Sequence, residues 1–211
     1  MDAVGSQRPD LRRERGARTR RAILEKAARL SSVEGLEGLS IGRLADHLAI
    51  SKSGLYAHFR SKEELQLATI RTAEAMYDEA LVQPALAEAP GTARVIRFAD
   101  LYLDYLRDGP FPGGCFFIAA SIDPARNRGP VKEALAESQR VLLDFFANEI
   151  ATAQVNGEAP AGTDPRQVAF EIDALLAGAD LNYLLFDDPE YLERAKRAVR
   201  VLLVHTDDAT R

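Results

Sequence analysis

Residues 39–65 read LSIGRLADHLAISKSGLYAHFRSKEEL, and helix-start chemistry divides this stretch into three. Ser, Thr, Asp and Asn are favoured where a side-chain oxygen accepts from the orphan amides of a first helical turn. Ser40 is placed to cap a helix of about two turns whose buried face is Ile41, Leu44, Ala45 and Leu48. Ser51 is placed to cap a second helix carrying Leu55, Tyr56 and Phe59, which leaves Ala49 and Ile50 as the turn. Ile50 is expected to plug the crevice between the two. So short a connection makes the helices cross steeply, as in a helix-turn-helix. Ser61 then opens a third helix with Glu64 three residues on, the spacing of a capping box.

A helix N-terminus, with its free amides and partial positive charge, is a phosphate site without any special side chain. Ser40, Ser51 and Lys62 stand at such ends, and Lys52 and Ser53 begin the second helix. Lys52 is long enough to reach a phosphate or a guanine edge in a major groove. Tyr56 and His58 are polar-tipped donors for phosphates, with partial core packing the plain alternative for Tyr56 and a solvated or capping role for His58. Leu55 and Phe59 are assigned to the core.

Leu55-Tyr56-Ala57-His58-Phe59 followed by Ser61-Lys62-Glu63-Glu64-Leu65 resembles the signature of the TetR family of bacterial transcriptional regulators, and Ile50-Ser51-Lys52 resembles that family's lead-in to its recognition helix. The resemblance spans about residues 17 to 80. It implies an all-α protein with an N-terminal three-helix helix-turn-helix domain and a C-terminal helical-bundle domain that binds an effector and dimerises. Two residues depart from the family pattern: Ala49 replaces the turn Gly, which reaches positive φ at little cost, and Gly54 stands on the exposed side where a longer polar side chain is usual.

Charge supports the same orientation. Residues 1–65 hold 13 Lys and Arg against 9 Asp and Glu, a net of +4, whereas the remainder holds 14 against 23, a net of −9. A basic end on an acidic body suits a duplex-facing domain. Much of the basic excess is Arg8, Arg12, Arg13, Arg15, Arg18, Arg20 and Arg21. Residues 1–16 are expected to be a flexible arm on phosphates or in a minor groove, with Arg18 at the start of the first helix, or else a solubilising tail. From Thr19, Ile23, Leu24, Ala27, Ala28 and Leu30 have helical spacing up to Gly35.

At 211 residues with 46% hydrophobic and 28% charged residues, the chain has the composition of a soluble globular protein. No apolar run approaches the roughly 20 residues of a membrane span, and the N-terminus lacks a signal peptide's apolar segment. The single cysteine, Cys115, excludes an intrachain disulfide framework and fits a reducing cytoplasm.

The domain boundaries expected are 17–65 for the helix-turn-helix, 62–83 for a connecting helix, 84–205 for effector binding and dimerisation, and 206–211 for a tail. After a linker at Glu88-Ala89-Pro90-Gly91, an amphipathic helix from Thr92 to about Arg107 carries Tyr102 and Tyr105. Asp108-Gly109-Pro110-Phe111-Pro112-Gly113-Gly114 breaks it and leads into Cys115-Phe116-Phe117. Phe111, Phe116 and Phe117 near glycines suit the wall of an apolar cavity, with Tyr102 and Tyr105 as polar handles and Phe145, Cys115 and Asn182 as further lining; plain core filling is the alternative. Cys115 is read as buried and inert, with an electrophile- or redox-sensing thiol at a helix start as the alternative.

Further helices are read from Pro130 to about Val155, from Pro165 to Phe186, with Asp164 as the cap and Gln167 as its capping partner, and from Pro189 onward. Small and apolar stripes, Ala174, Gly178 and Leu181 on one, Leu192, Ala195, Val199 and Leu202 on the other, are expected to form a four-helix dimer interface. An enzymatic reading finds no H-x-x-x-H, C-x-x-C, Walker or dinucleotide motif, so neither metal nor cofactor is implied. Asp173 and Asp180 are read as solvent-facing or capping charges. The expected partners are therefore a double-stranded DNA operator, an apolar or aromatic small molecule and a second copy of the chain, with no membrane; a protein-interaction module on the same fold is the rival.

Overall fold

The computed structural model describes residues 11–121 and 128–204, and every element among them is helical. Helix α1 (Leu11–Gly38) starts eight residues before the expected Thr19. Of the arm expected over residues 1–16, Leu11 to Gly16 are helical, and residues 1–10, with Arg8, lie outside the described residues. Arg, Glu and Ala, which dominate 12–18, are good helix formers. Gly35 does not end α1 but kinks it, at φ 70° and ψ 163°, where a glycine is needed.

Ser40 caps α2 (Ile41–Leu48) by accepting from the Arg43 amide, and Ser51 caps the five-residue α3 (Lys52–Tyr56) by accepting from the Gly54 amide. Ala49 does the work of the usual glycine. It adopts φ 52° and directs its amide back to the end of α2, at a cost of about 1 kcal/mol relative to glycine. Ile50 does not plug the crevice: its amide bonds to the Ala45 carbonyl, and its side chain is 40% exposed. Leu39, Leu44, Leu55 and Phe59, none of them exposed, fill the space instead. Phe59 lies beyond the end of α3, and Arg20 of α1 places its guanidinium 4.9 Å from the centre of its ring.

Helix α4 (Lys62–Tyr77) begins with Ser61 accepting from Glu64, while the Glu64 carboxylate takes the Arg60 amide rather than that of Ser61. The connecting segment is not one uniform helix. It widens into a π-helical turn at Asp78–Val82 before α5 (Gln83–Leu86). Pro84 has no amide to give and its ring crowds the carbonyl four residues back, so a widened turn just before it relieves the conflict.

The second half comprises α6 (Thr92–Asp108), α7 (Phe116–Ser121), α8 (Gly129–Val155), α9 (Pro165–Phe186) and α10 (Glu190–Val204). Helix α6 is anchored at its start, where the Gly91 amide meets buried Glu149 and the Thr92 amide meets Glu158. Asp164 caps α9 as expected, but Gln167 bonds to Glu171 instead of to the cap. Helices α8, α9, α10 and α6 pack on one another, while α1 with α7 and α4 with α8 join the two halves. Residues 205–211, which include the expected tail, lie outside the described residues.

The expected interface stripe on α10 is corrected here. Leu192, Ala195 and Val199 are 1%, 5% and 1% exposed within one chain, and Leu202 is half-buried. They serve the chain's own core. On α9, Ala174 and Leu181 are exposed and Gly178 is half-buried; with Phe170 and Leu185 they form an open apolar stripe.

Candidate nucleic-acid interface and aromatic site

The exposed face of the helix-turn-helix gathers most of the expected polar residues. Ser51, Lys52, Ser53, Gly54 and Tyr56 are exposed, and His58 is half-buried in the turn after α3. The Ser51 and Ser53 hydroxyls lie 3.2 Å apart. The Lys52 side chain bends back over Gly42, so its ammonium adds to the positive end of α2 where Ser40 sits. Arg18 is exposed on α1. Lys62 stands apart from this group. Its ammonium bonds to the Glu37 carbonyl at 2.8 Å and carboxylate at 2.7 Å, which together with Gln66 on the Leu36 carbonyl clamps α4 to the end of α1. A role for Lys62 at a phosphate is therefore corrected to a clamp between helices.

The aromatic residues after α6 do converge, and they do so on a residue the sequence reading passed over. Tyr77, at the end of α4, lies 5.2–5.6 Å from the rings of Tyr105, Phe111 and Phe117, and its hydroxyl accepts from the Phe116 amide. Its signal was present: it continues the buried stripe of Ile70 and Ala73 at helical spacing. Phe145 is not part of this group but is half-buried on α8, where it packs with Phe98 of α6 and Phe146. Asn182 spends its amide on the Gly178 carbonyl of its own helix. The rings pack directly on one another. An open cleft of about 420 Å³ lies between α1 and α4, bordered by Arg20, Arg21, Arg71, Met76 and Glu79.

Cys115 is buried, and burial pushes its thiol pKa up despite hydrogen bonds from the tyrosines around it. Reaction with an electrophile needs an accessible thiolate, so the sensor alternative is corrected to a packed thiol. Burial likewise raises Tyr77 and Tyr102, and takes Tyr105 up to about 12.

Asp180 on α9 also departs from expectation. It is 2% exposed, and both carboxylate oxygens accept from one donor, the Cys115 amide, at 3.2 and 3.3 Å. Gly114, at φ 80°, lets the loop come this close: a β-carbon there would lie 2.3 Å from the carboxylate. Burial raises the Asp180 pKa from 3.8 to about 6, with the Cys115 hydrogen bond opposing. The folded state thus holds this proton more tightly than the unfolded chain, so stability falls as pH rises through that window and the whole penalty, about 3 kcal/mol, is present above it. Asp180→Asn keeps an acceptor for Cys115 and removes the charge. It is expected to raise the melting temperature at pH 7.5 by about 6–12 °C and to leave it unchanged near pH 4; a lower melting temperature at pH 7.5 would contradict this.

The loop that meets Asp180 also meets α1. The Gly113 amide donates to the Ser32 hydroxyl at 3.2 Å, and Gly113 packs directly on the Ser32 main chain, three residues before the Gly35 kink. Among the described residues no helix is long and apolar enough to cross a membrane, and no group of three or more His, Cys, Asp or Glu is placed to hold a metal ion.

Two family models match this chain: residues 23–69 match that of bacterial regulatory proteins, tetR family, and residues 91–199 that of the tetracyclin repressor-like C-terminal domain. A curated relative, the uncharacterized HTH-type transcriptional regulator YezE of Bacillus subtilis (strain 168), is 25% identical over 140 residues, 64% of this chain and 70% of its own length. The solved structure of a TetR transcriptional regulator from Chloroflexus aurantiacus J-10-FL is similar at a TM-score of 0.82 and 25% identity, over 91% of this chain and 97% of that one. AibR, solved in complex with isovaleryl coenzyme A and operator DNA, shares the fold at a TM-score of 0.65 and 22% identity, over 88% of this chain and 97% of that one.

Proposed function

Because the chain belongs to the TetR family of bacterial regulatory proteins, transcriptional regulators that bind DNA and are not enzymes, we propose that it is a cytoplasmic, ligand-responsive repressor that binds a palindromic operator as a homodimer. The observation that carries this reading is the exposed face of α3, where Lys52, Ser53, Gly54 and Tyr56 surround a single buried anchor, Leu55. A short, capped helix with one side chain in the core and the rest outside fits a major groove. Arg18, Ser40, Ser51 and His58 flank it and contribute phosphate contacts, which position the helix without reading sequence.

The domains run from 17 to 65 for DNA binding and from 84 to 205 for the effector and the partner subunit, with 62–83 as the lever between them. Tyr77 supports this division, since it stands on the lever and in the aromatic cluster at once. The effector is a mainly apolar or aromatic small molecule that enters the cluster of Tyr77, Tyr102, Tyr105, Phe111, Phe116 and Phe117. Its binding shifts the population toward a spacing of the two α3 helices that no longer matches successive major grooves, about 34 Å apart. DNA and effector then weaken each other's binding by the same factor.

The open stripe of Phe170, Ala174, Leu181 and Leu185 supplies the dimer face. Leu181→Arg with Leu185→Arg places two charges in it and is expected to give a monomer by light scattering, with operator affinity reduced at least tenfold; a dimer of unchanged affinity would place the interface elsewhere. Nuclease protection of the DNA flanking the chain's own gene tests the whole reading. A protected palindrome that opens to the nuclease with an effector supports it, and protection of one half-site alone contradicts the homodimer.

A further inference from the structure

Asp180 is a charge that nothing in its surroundings accounts for. Among the described residues, the Cys115 amide is the one donor within hydrogen-bond distance of its carboxylate, and neither a Lys nor an Arg pairs with it. Buried charges are ordinarily paired, because leaving water costs more than a single neutral hydrogen bond returns. The groups around it are aromatic and neutral: Tyr102 and Cys115 lie beside it, and Tyr77 joins them to the rings of Phe111 and Phe117. With its pKa at about 6 the group is still largely ionised at pH 7.5.

We propose that Asp180 is the recognition group for a cationic effector, and that the site between α4, α6, the 109–115 loop and α9 takes a protonated amine or amidinium carried on a flat aromatic body. This rests on the reading of the second half as the effector-binding domain and names the chemical class it accepts. Aromatic faces carry negative potential and attract cations, so rings and carboxylate act in the same sense. An anionic effector meets repulsion from Asp180 at close range, and a neutral one leaves the carboxylate unpaired.

The same geometry couples binding to the DNA-binding half. A ligand ammonium that donates to Asp180 replaces the Cys115 amide as its partner and frees the Gly113–Cys115 segment. That segment is held on its other side to Ser32 of α1, just before the kink that leads to the helix-turn-helix. Exchange of one donor for another at Asp180 therefore loosens the contact between loop and α1. No large cavity has to exist beforehand, since the displaced loop makes the room.

The test is calorimetric titration of the full chain, without DNA, with three probes sharing one ring system: 1-naphthylmethylammonium, 1-naphthylmethanol and 1-naphthoate. Wild type is expected to bind the ammonium at least 30-fold more tightly than the alcohol and the carboxylate weakest of all. Asp180→Asn is expected to cut the preference for ammonium over alcohol to less than threefold, with the affinity for the alcohol little changed. Binding of the carboxylate as tightly as the ammonium, binding of none of the three, or a preference that survives in Asp180→Asn would each overturn the assignment. The wild-type ranking stands as a test by itself if the variant does not fold. A chain that ranks the probes as expected yet binds no operator would support the ligand class while overturning the regulator reading.

Discussion

A chain carrying both Lys52→Ala and Tyr56→Phe is expected to bind its operator about 100-fold more weakly than wild type, with its melting temperature unchanged. Each change removes one donor from the exposed face of α3: the ammonium that lies over the first turn of α2, and the hydroxyl of a side chain that is 58% exposed. A contact to a phosphate or base edge is worth roughly 1–3 kcal/mol, so two losses give about that factor. Neither side chain fills the core, and surface substitutions of this kind shift stability by about 0.5 kcal/mol or less. If Lys52 neutralises a phosphate, the dependence of affinity on salt also becomes shallower by about one ion. Anisotropy titrations at two salt concentrations measure both effects. Affinity equal to wild type would mean that another face meets the duplex.

Gly113→Ala is expected to lower stability by about 2–4 kcal/mol and the melting temperature by about 5–15 °C. A β-carbon at this position would lie 2.0 Å from the Ser32 carbonyl oxygen and 2.4 Å from its carbon. Those are main-chain atoms of α1, so no side-chain rotation relieves the overlap and the loop has to lift away. Lifting it breaks the bond from the Gly113 amide to the Ser32 hydroxyl and disturbs Phe111 and Cys115, which are 5% exposed on the same loop. Gly162→Ala is the control, because a β-carbon there meets nothing within 4 Å; its melting temperature should stay within about 2 °C of wild type. Thermal denaturation followed by circular dichroism compares the two. A Gly113→Ala chain that melts with wild type would remove the tight seam between loop and α1, and with it the coupling assigned to that seam.

The parts of the fold that were legible in the sequence are those set by local chemistry. Ser40, Ser51, Ser61 and Asp164 mark helix starts because the amides they satisfy lie two or three residues away. The buried faces of α2 and α6 follow from apolar spacing for the same reason. The rest depended on distant partners. Lys62 looked like a phosphate ligand because its partner, Glu37, is 25 residues away. Asp180 looked like a surface charge because the loop that buries it comes from Gly114 and Cys115, 65 residues earlier. On α10 the apolar stripe was correctly seen, but periodicity does not say whether a stripe faces its own core or a second subunit. Leu192 and Val199 face the core, and Phe170, Leu181 and Leu185 on the neighbouring helix do not.

Tyr77 illustrates a different limit. Its place on the buried side of α4 was readable, but its position as the ring on which Tyr105, Phe111 and Phe117 converge required the 109–117 segment to fold back against the lever. That convergence gives the second half a direct mechanical connection to the first. Movement of the aromatic cluster acts on α4 through Tyr77 and on α1 through Gly113, and α4 and α1 are in turn clamped together by Lys62 and Gln66 at Leu36 and Glu37. In the proposed mechanism, these contacts are the route by which a change at the effector site reaches the helix-turn-helix as a rigid-body shift.

The most direct test of the regulator reading is fluorescence anisotropy of the purified chain on the DNA flanking its own gene, against a shuffled duplex of equal length, at low and at physiological salt. Tight binding to the flank at both salt concentrations, with weaker binding to the shuffled duplex that is lost as salt rises, is the expected result. Equal affinity for the two duplexes, or no binding to either at low salt, would contradict a sequence-specific DNA-binding function.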